Sequence, residues 1–168
     1  MPNQDHIRDM QRRVTAASGY LDLEMNDAAM DEIEGVAPGL KLCREVLTVR
    51  TEICMRAEAW EQVRVISTHL VREWPDDAQH WIWLAYGTRR SKSIGEAKDI
   101  LLRAVEIHAG EPMIHFNLAC YESQLGDMTA AKACLDKAIG LEPGCRLAAL
   151  DDPDLLPFWD SIGRLSLD

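Results

Sequence analysis

The groups in this sequence with the chemistry to hold a metal or attack a carbon are few. They are the cysteines Cys43, Cys54, Cys120, Cys134 and Cys145, the histidines His69, His80, His108 and His115, and the acidic run Asp151-Asp152-Pro153-Asp154. A zinc site draws thiolates and imidazoles from short, clustered spacings, and no cysteine pair here is spaced C-x-x-C. His115 and Cys120 fall five apart on one helical pattern, so they do not share a face as a ligand pair three or four apart would. The acidic run lacks the glycine turn and distal Glu of a calcium loop. It reads instead as carboxylates set before an apolar helix. None of the patterns G-x-S-x-G, H-E-x-x-H, G-x-x-x-x-G-K-[ST] or G-x-G-x-x-G occurs. The expectation is therefore no catalytic residue, no metal and no cofactor, with the thiols as buried small hydrophobes.

Charge narrows the partner class. Lys plus Arg number 18 against 28 Asp plus Glu, a formal net charge of −10. Affinity for nucleic acid is built from Lys and Arg contacts to phosphate, and an anionic membrane surface attracts the same residues, so neither is expected as a partner. Met1-Pro2-Asn3-Gln4-Asp5-His6 and the Gln11-Arg12-Arg13 that comes later are not followed by an apolar leader, and no run is long enough to span a bilayer. The expected address is the cytoplasm.

The elements that position these groups come from a period in the sequence. Leu84-Ala85 returns as Leu118-Ala119, and Ala97, Leu101 and Ala104 return as Ala131, Leu135 and Ala138, all 34 residues on. The same step back aligns Ala17, Thr51, Ala85 and Ala119 in one column and Ala29, Val63, Ala97 and Ala131 in another. Within each unit the apolar positions recur at three and four, as in Trp81, Leu84, Ala85 and Thr88, then Ala97, Leu101, Ala104, Val105 and Ile107. That spacing predicts two helices per unit. Ser93-Ile94-Gly95-Glu96 fits a capping box at the start of a second helix, and Gly126-Asp127 stands at the equivalent place 34 residues later. Pro75 and Pro143 share the column where the second helix must stop. Alanine in the repeated columns lets paired helix backbones approach closely, with Ile33, Leu101 and Leu135 filling the gaps between. Arg50 and Ser67 stand in columns that call for large apolar side chains.

A helix–turn–helix unit of this period with W-x2-L-A/G, then A, L, A and P, resembles the tetratricopeptide repeat. The third unit supplies Trp81, Leu84, Ala85, Ala97, Leu101 and Ala104, with Thr88 and Ala109 in place of the signature Tyr and Pro. The fourth supplies Leu118, Ala119, Ala131, Leu135, Ala138 and Pro143, with His115 in place of the Trp. The run Phe116-Asn117-Leu118-Ala119-Cys120-Tyr121, followed by Gln124-Leu125-Gly126-Asp127, is similar to small bacterial members. The resemblance implies a single all-α domain: a right-handed superhelical solenoid of antiparallel helix pairs. Four repeats are expected, at about 10–43, 44–77, 78–111 and 112–145, with a C-terminal cap over 146–168. In the cap, Leu155, Phe158, Trp159, Ile162 and Leu165 form one apolar stripe, with Asp154 as its N-cap, suited to covering the last repeat's open face. An exposed hook for a partner is the alternative.

In this family the first helix of each repeat lines a concave face at its second, fifth, ninth, twelfth and thirteenth positions. Carried over by register, these are Glu45, Thr48, Glu52, Met55 and Arg56; then Gln79, Ile82, Tyr86, Arg89 and Arg90; then Met113, Phe116, Cys120, Ser123 and Gln124. Arg with aromatic and apolar residues is the composition of binding hot spots, and Arg grips a carboxylate with two parallel hydrogen bonds. The expected occupant is a protein or peptide carrying acidic and apolar side chains. The family's carboxylate clamp for chaperone tails is not expected, because Asn117 stands alone in such a column and Lys is absent from the lined positions. Trp83, two residues from Trp81 and on another face, either packs on a neighbouring repeat or anchors an interface. Three functions follow in order: a non-catalytic scaffold, a small dedicated chaperone of the type III secretion class, and an enzyme on a helical frame. The chaperone reading would use residues 3–23 (Ile7, Met10, Val14, Ala17, Leu21) as a dimerisation helix rather than as part of the first repeat.

Overall fold

A computed structural model describes residues 3–165. It is all-α, with no strand among the described residues. The helices are α1 Gln4–Asp22, α2 Asn26–Glu34, α3 Arg44–Arg56, α4 Trp60–Glu73, α5 Ala78–Ser91, α6 Ile94–Ile107, α7 Pro112–Leu125, α8 Met128–Leu141, α9 Cys145–Asp151 and α10 Leu156–Leu165. Single 3-10 turns sit at Pro38–Leu40 and Pro153–Leu155. First helices begin at 44, 78 and 112 and second helices at 26, 60, 94 and 128, so each set advances by 34. The first pair departs from this rhythm. α1 starts at Gln4, ahead of the expected Met10, and α2 runs for 9 residues against the 14 of α4. Gly35 ends α2, and Pro38 then sets a 3-10 turn that delivers the chain to α3.

Local chemistry explains the boundaries. Asp77 accepts the Gln79 amide at the start of α5, and Asp127 accepts the Ala130 amide at 2.9 Å at the start of α8. Gly126 closes α7 at φ 88, where a side chain would be strained. At α6 the Ser93 hydroxyl accepts the Glu96 amide, while the Glu96 carboxylate takes the Ser93 hydroxyl proton at 3.0 Å. The capping box is therefore closed between side chains, and Glu96 does not reach the backbone as its motif implied.

Packing follows the repeated columns. Ala17, Ala29, Ala85, Ala97, Ala104, Ala119, Ala131 and Ala138 are all fully buried. Leu101, Leu118 and Leu135 fill the spaces around them in the C-terminal half, which has one continuous core running into Leu155 and Phe158. Trp83 is buried with Leu47 and Leu70, so it joins the second repeat to the third. Arg50, in a column that calls for Leu, turns its guanidinium to Glu34 at 2.8 Å.

Trp81 and His115 occupy the same column, and the structure gives both the same task. Trp81 Nε1 donates to the Pro75 carbonyl at 2.9 Å, and His115 Nε2 lies 2.9 Å from the Ala109 carbonyl. Each ring ties its helix to the backbone six residues upstream, where the previous helix has ended. The missing signature Trp in the fourth repeat is thus replaced by a ring that keeps the hydrogen bond. His115→Phe keeps a buried ring but orphans that carbonyl, and should lower unfolding stability by about 1 kcal/mol in a urea titration. His115→Trp should restore it.

Candidate groove and its intramolecular occupant

The first helices α3, α5 and α7 turn one face inward, and the positions assigned to that face divide into two groups. Thr48, Glu52, Met55, Arg56 and Gln79 line an open cleft of about 550 Å³ together with Asp77, His80 and Trp83. Gln79, Ile82 and Met113 continue into an adjoining cleft of about 520 Å³ that Arg44 and Glu111 also border. Glu45 is exposed at the start of α3. Tyr86 meets the edge of Trp60, with ring centres 5.4 Å apart.

The second group is already covered. The C-terminal chain leaves α9 and crosses the inner face of α7 as the Pro153–Leu155 turn, and α10 then packs on α7 and α8. Arg89 holds Asp154 with both guanidinium nitrogens, Nη2 at 2.6 Å from Oδ1, across 65 residues of sequence. Gln124 Nε2 donates to the Asp154 carbonyl at 2.9 Å, and Leu155 is fully buried. Phe116, Cys120 and Ser123 are buried to 6%, 2% and 1% exposure, so they present nothing to solvent. This corrects the sequence expectation at Arg89, Phe116, Cys120 and Ser123, which are core or latch residues in this structure. Gln124 is exposed but its amide is engaged. The N-cap of the tail is also corrected. Asp152 accepts the Asp154 amide at 2.8 Å, which frees the Asp154 carboxylate for Arg89. Of the apolar stripe, Phe158 and Trp159 meet edge to face at 4.9 Å, and Trp159 Nε1 donates to the Ala149 carbonyl. The side chain of Leu165 lies outside the described residues.

All three groove arginines therefore have internal partners. Arg56 donates to the Leu21 carbonyl, Arg89 pairs with Asp154 and lies over the Tyr121 ring, and Arg90 lies 4.9 Å over Trp60. The residues that sequence reasoning missed are Trp60, Asp77, His80 and Asp154. For Asp154 a signal was present: an acidic Asp-Pro-Asp in the tail and unspent arginines in the groove columns.

The chemistry of this region is that of a latch. Cys120, Asp152 and Asp154 bring ligand atoms within 4.8 Å of one another, as a metal site would. But Asp154 is gripped by Arg89, and the Cys120 thiol points at Asp152 at 3.8 Å. Burial, with Asp152 and Asp154 beside it, pushes that thiol well above its ordinary range, so it stays protonated and is a poor ligand and nucleophile. The histidines are likewise in structural roles: His80 Nδ1 sits 3.0 Å from the Trp74 carbonyl, His108 Nε2 2.9 Å from the Pro75 carbonyl, and His69 against Arg72. Asn117 turns back to the Met113 carbonyl. No helix among the described residues is long and apolar enough to cross a membrane.

Comparison with known proteins places the architecture. The tetratricopeptide-repeat family profile matches residues 114–145. No curated protein matches the chain significantly. Among solved structures, a thermophilic tetratricopeptide-repeat protein of Thermus thermophilus superposes with TM-score 0.70 at 19% identity, covering 94% of this chain and 84% of its own. MamA of Desulfovibrio magneticus RS-1 gives 0.69 at 15% identity, covering 80% and 76%. YrrB, described as a tetratricopeptide-repeat protein with an unusual peptide-binding site, gives 0.64 at 11%, covering 88% and 81%. A repeat recognised in sequence at α7–α8, preceded by helix pairs of the same period and the same stacking, makes the chain a member of the tetratricopeptide-repeat family.

Proposed function

We propose that the chain is a non-catalytic scaffold that holds a segment of another protein in the groove formed by α3, α5 and the first turn of α7. The observation that carries this reading is the open cleft itself. Thr48, Glu52, Met55, Arg56 and Gln79, assigned to the groove by register, bound one concave surface that continues past Ile82 to Met113. The occupied distal half supports it as well, because it displays an extended segment held by a bidentate arginine, a side-chain amide on a backbone carbonyl and a buried leucine. YrrB's described peptide-binding site is consistent with a groove of this fold taking a peptide. A dedicated chaperone using α1 to dimerise is less well supported, because Met10, Ala17 and Leu21 are buried in the chain's own core with Ile33, Val49 and Ile53. The five unpaired thiols fit a reducing compartment, and we place the protein in the cytoplasm on that ground.

The reading is tested by site-specific photo-crosslinking in the native cell. A photoreactive residue at Gln79 or at Met113 should capture the same polypeptide, and one at Lys137, on the exposed face of α8, should not. Capture from Lys137 with nothing from the two groove positions would show the partner on the wrong side of the solenoid.

A further inference from the structure

The proximal half of the groove differs in charge from the distal half, and this specifies an occupant. Glu52 lies in the middle of α3's inner face, half-buried in the 550 Å³ cleft. Among the described residues it has no hydrogen-bond or ion-pair partner, in contrast to Asp77 across the cleft, which is held by Arg44 and the Gln79 amide. Burial pushes the Glu52 carboxyl above its ordinary range. Arg56 offsets part of that, and Asp22 adds to it. Arg56 is near enough to be felt, yet its guanidinium is engaged with the Leu21 carbonyl. The groove thus keeps a desolvated carboxylate without a paired cation, while each of its arginines has a partner.

Apolar surface flanks this charge. Met55 is half-buried, and Trp83 lines the same cleft. Ile82 and Met113 extend the surface toward α7, Met113 being 42% exposed. Glu45 adds a second acidic group two turns up the inner face of α3 from Glu52. An acidic segment entering here meets Glu52, Glu45 and Asp22 and finds no unengaged arginine. A basic one meets the carboxylate that lacks a counterion, and the protein's charge of −10 steers it inward.

Resting on the scaffold reading of this groove, we propose that its open proximal half binds a protein segment carrying Lys or Arg beside Leu, Met or Phe, with the basic side chain paired to Glu52. This replaces the acidic occupant expected from composition, whose place is taken in cis by Asp152–Leu155.

The probe is a phage-displayed library of random dodecapeptides selected on the full chain, followed by fluorescence titration of enriched peptides and photo-crosslinking from Gln79. Enriched peptides should combine Lys or Arg with large apolar residues and crosslink to Gln79. They should also weaken steeply with added salt and lose affinity about tenfold on Glu52→Gln, which preserves shape and removes the charge. Thermal unfolding of that variant should show an intact fold. Acidic or charge-neutral peptides that crosslink to Gln79, or basic ones whose affinity ignores Glu52→Gln, would overturn the basic-segment assignment and leave the groove reading standing. Enrichment of nothing, or crosslinks confined to a residue placed at Lys137, would sink both.

Discussion

Leu155→Ala should destabilise the protein by about 2–5 kcal/mol, although it lies in the tail beyond the last full repeat. Residues outside the repeats usually tolerate truncation, but Leu155 is fully buried and belongs to the same core as Leu118, Leu135 and Phe158. Removing its branched end leaves a cavity between the Pro153–Leu155 turn and α7, and Arg89 and Gln124 pin that turn so that it cannot collapse freely. The control is next door. Leu156→Ala removes the same atoms from a side chain that is 55% exposed and should change stability by no more than about 0.5 kcal/mol. Both are read from urea unfolding followed by circular dichroism. Equal, small effects would mean that the tail does not dock on α7 as described. Asp154→Asn, which halves the grip on Arg89, should fall between the two.

The parts of this molecule written at a constant interval were legible in the sequence. A column of alanines is visible because each member constrains the same local geometry, a close crossing of two neighbouring helices, and does so every 34 residues. Ala85, Ala97, Ala119 and Ala131 were assigned to such crossings and all are fully buried. Residues that replace a signature member with one of similar physics were harder. His115 looked like a lost Trp until its ring nitrogen was seen at the Ala109 carbonyl, because the column demands a flat ring with an N–H and not one residue type. Contacts with no period were not legible at all. Arg89 and Asp154 are 65 residues apart, and nothing in helical spacing pairs them. Arginines on a concave face read as partner-binding because composition cannot reveal that the chain supplies its own carboxylate. The same limit hid Glu52, whose significance is that the neighbouring arginine is committed elsewhere.

The second repeat matched the family pattern least, and its deviations compensate one another. Ser67 stands where Leu101 and Leu135 fill space in the following repeats, and it is fully buried without a hydrogen-bond partner for its hydroxyl. A side chain that small would leave a void between ordinarily spaced helices. The void is absent because α5 carries Gly87 in the column where the next repeat has Tyr121, and α4 closes onto it. A Cβ built at Gly87 would stand 2.9 Å from the Arg64 backbone nitrogen and 2.9 Å from Val63 Cγ1. Val63 is itself fully buried, so neither neighbour has room to retreat without moving α4.

Gly87→Val should accordingly cost about 3 kcal/mol or more, since the inserted side chain forces the α4–α5 backbones apart and uncovers the small core of Leu47, Leu70 and Trp83 that joins the halves of the solenoid. Gly87→Ala sets two effects against each other. Alanine favours the helix by about 1 kcal/mol, and the clash opposes it. The clash is with backbone, which cannot rotate aside, so the net change should be destabilising. Gly140→Ala isolates the propensity term, because that helical glycine has nothing within 4 Å of its Cβ position, and it should stabilise by up to about 1 kcal/mol. Opposite signs for the two alanine variants, measured in one urea series, would establish close approach rather than backbone freedom as the reason for Gly87. The same sign for both would remove the compensation argument, and Ser67 would then need another explanation.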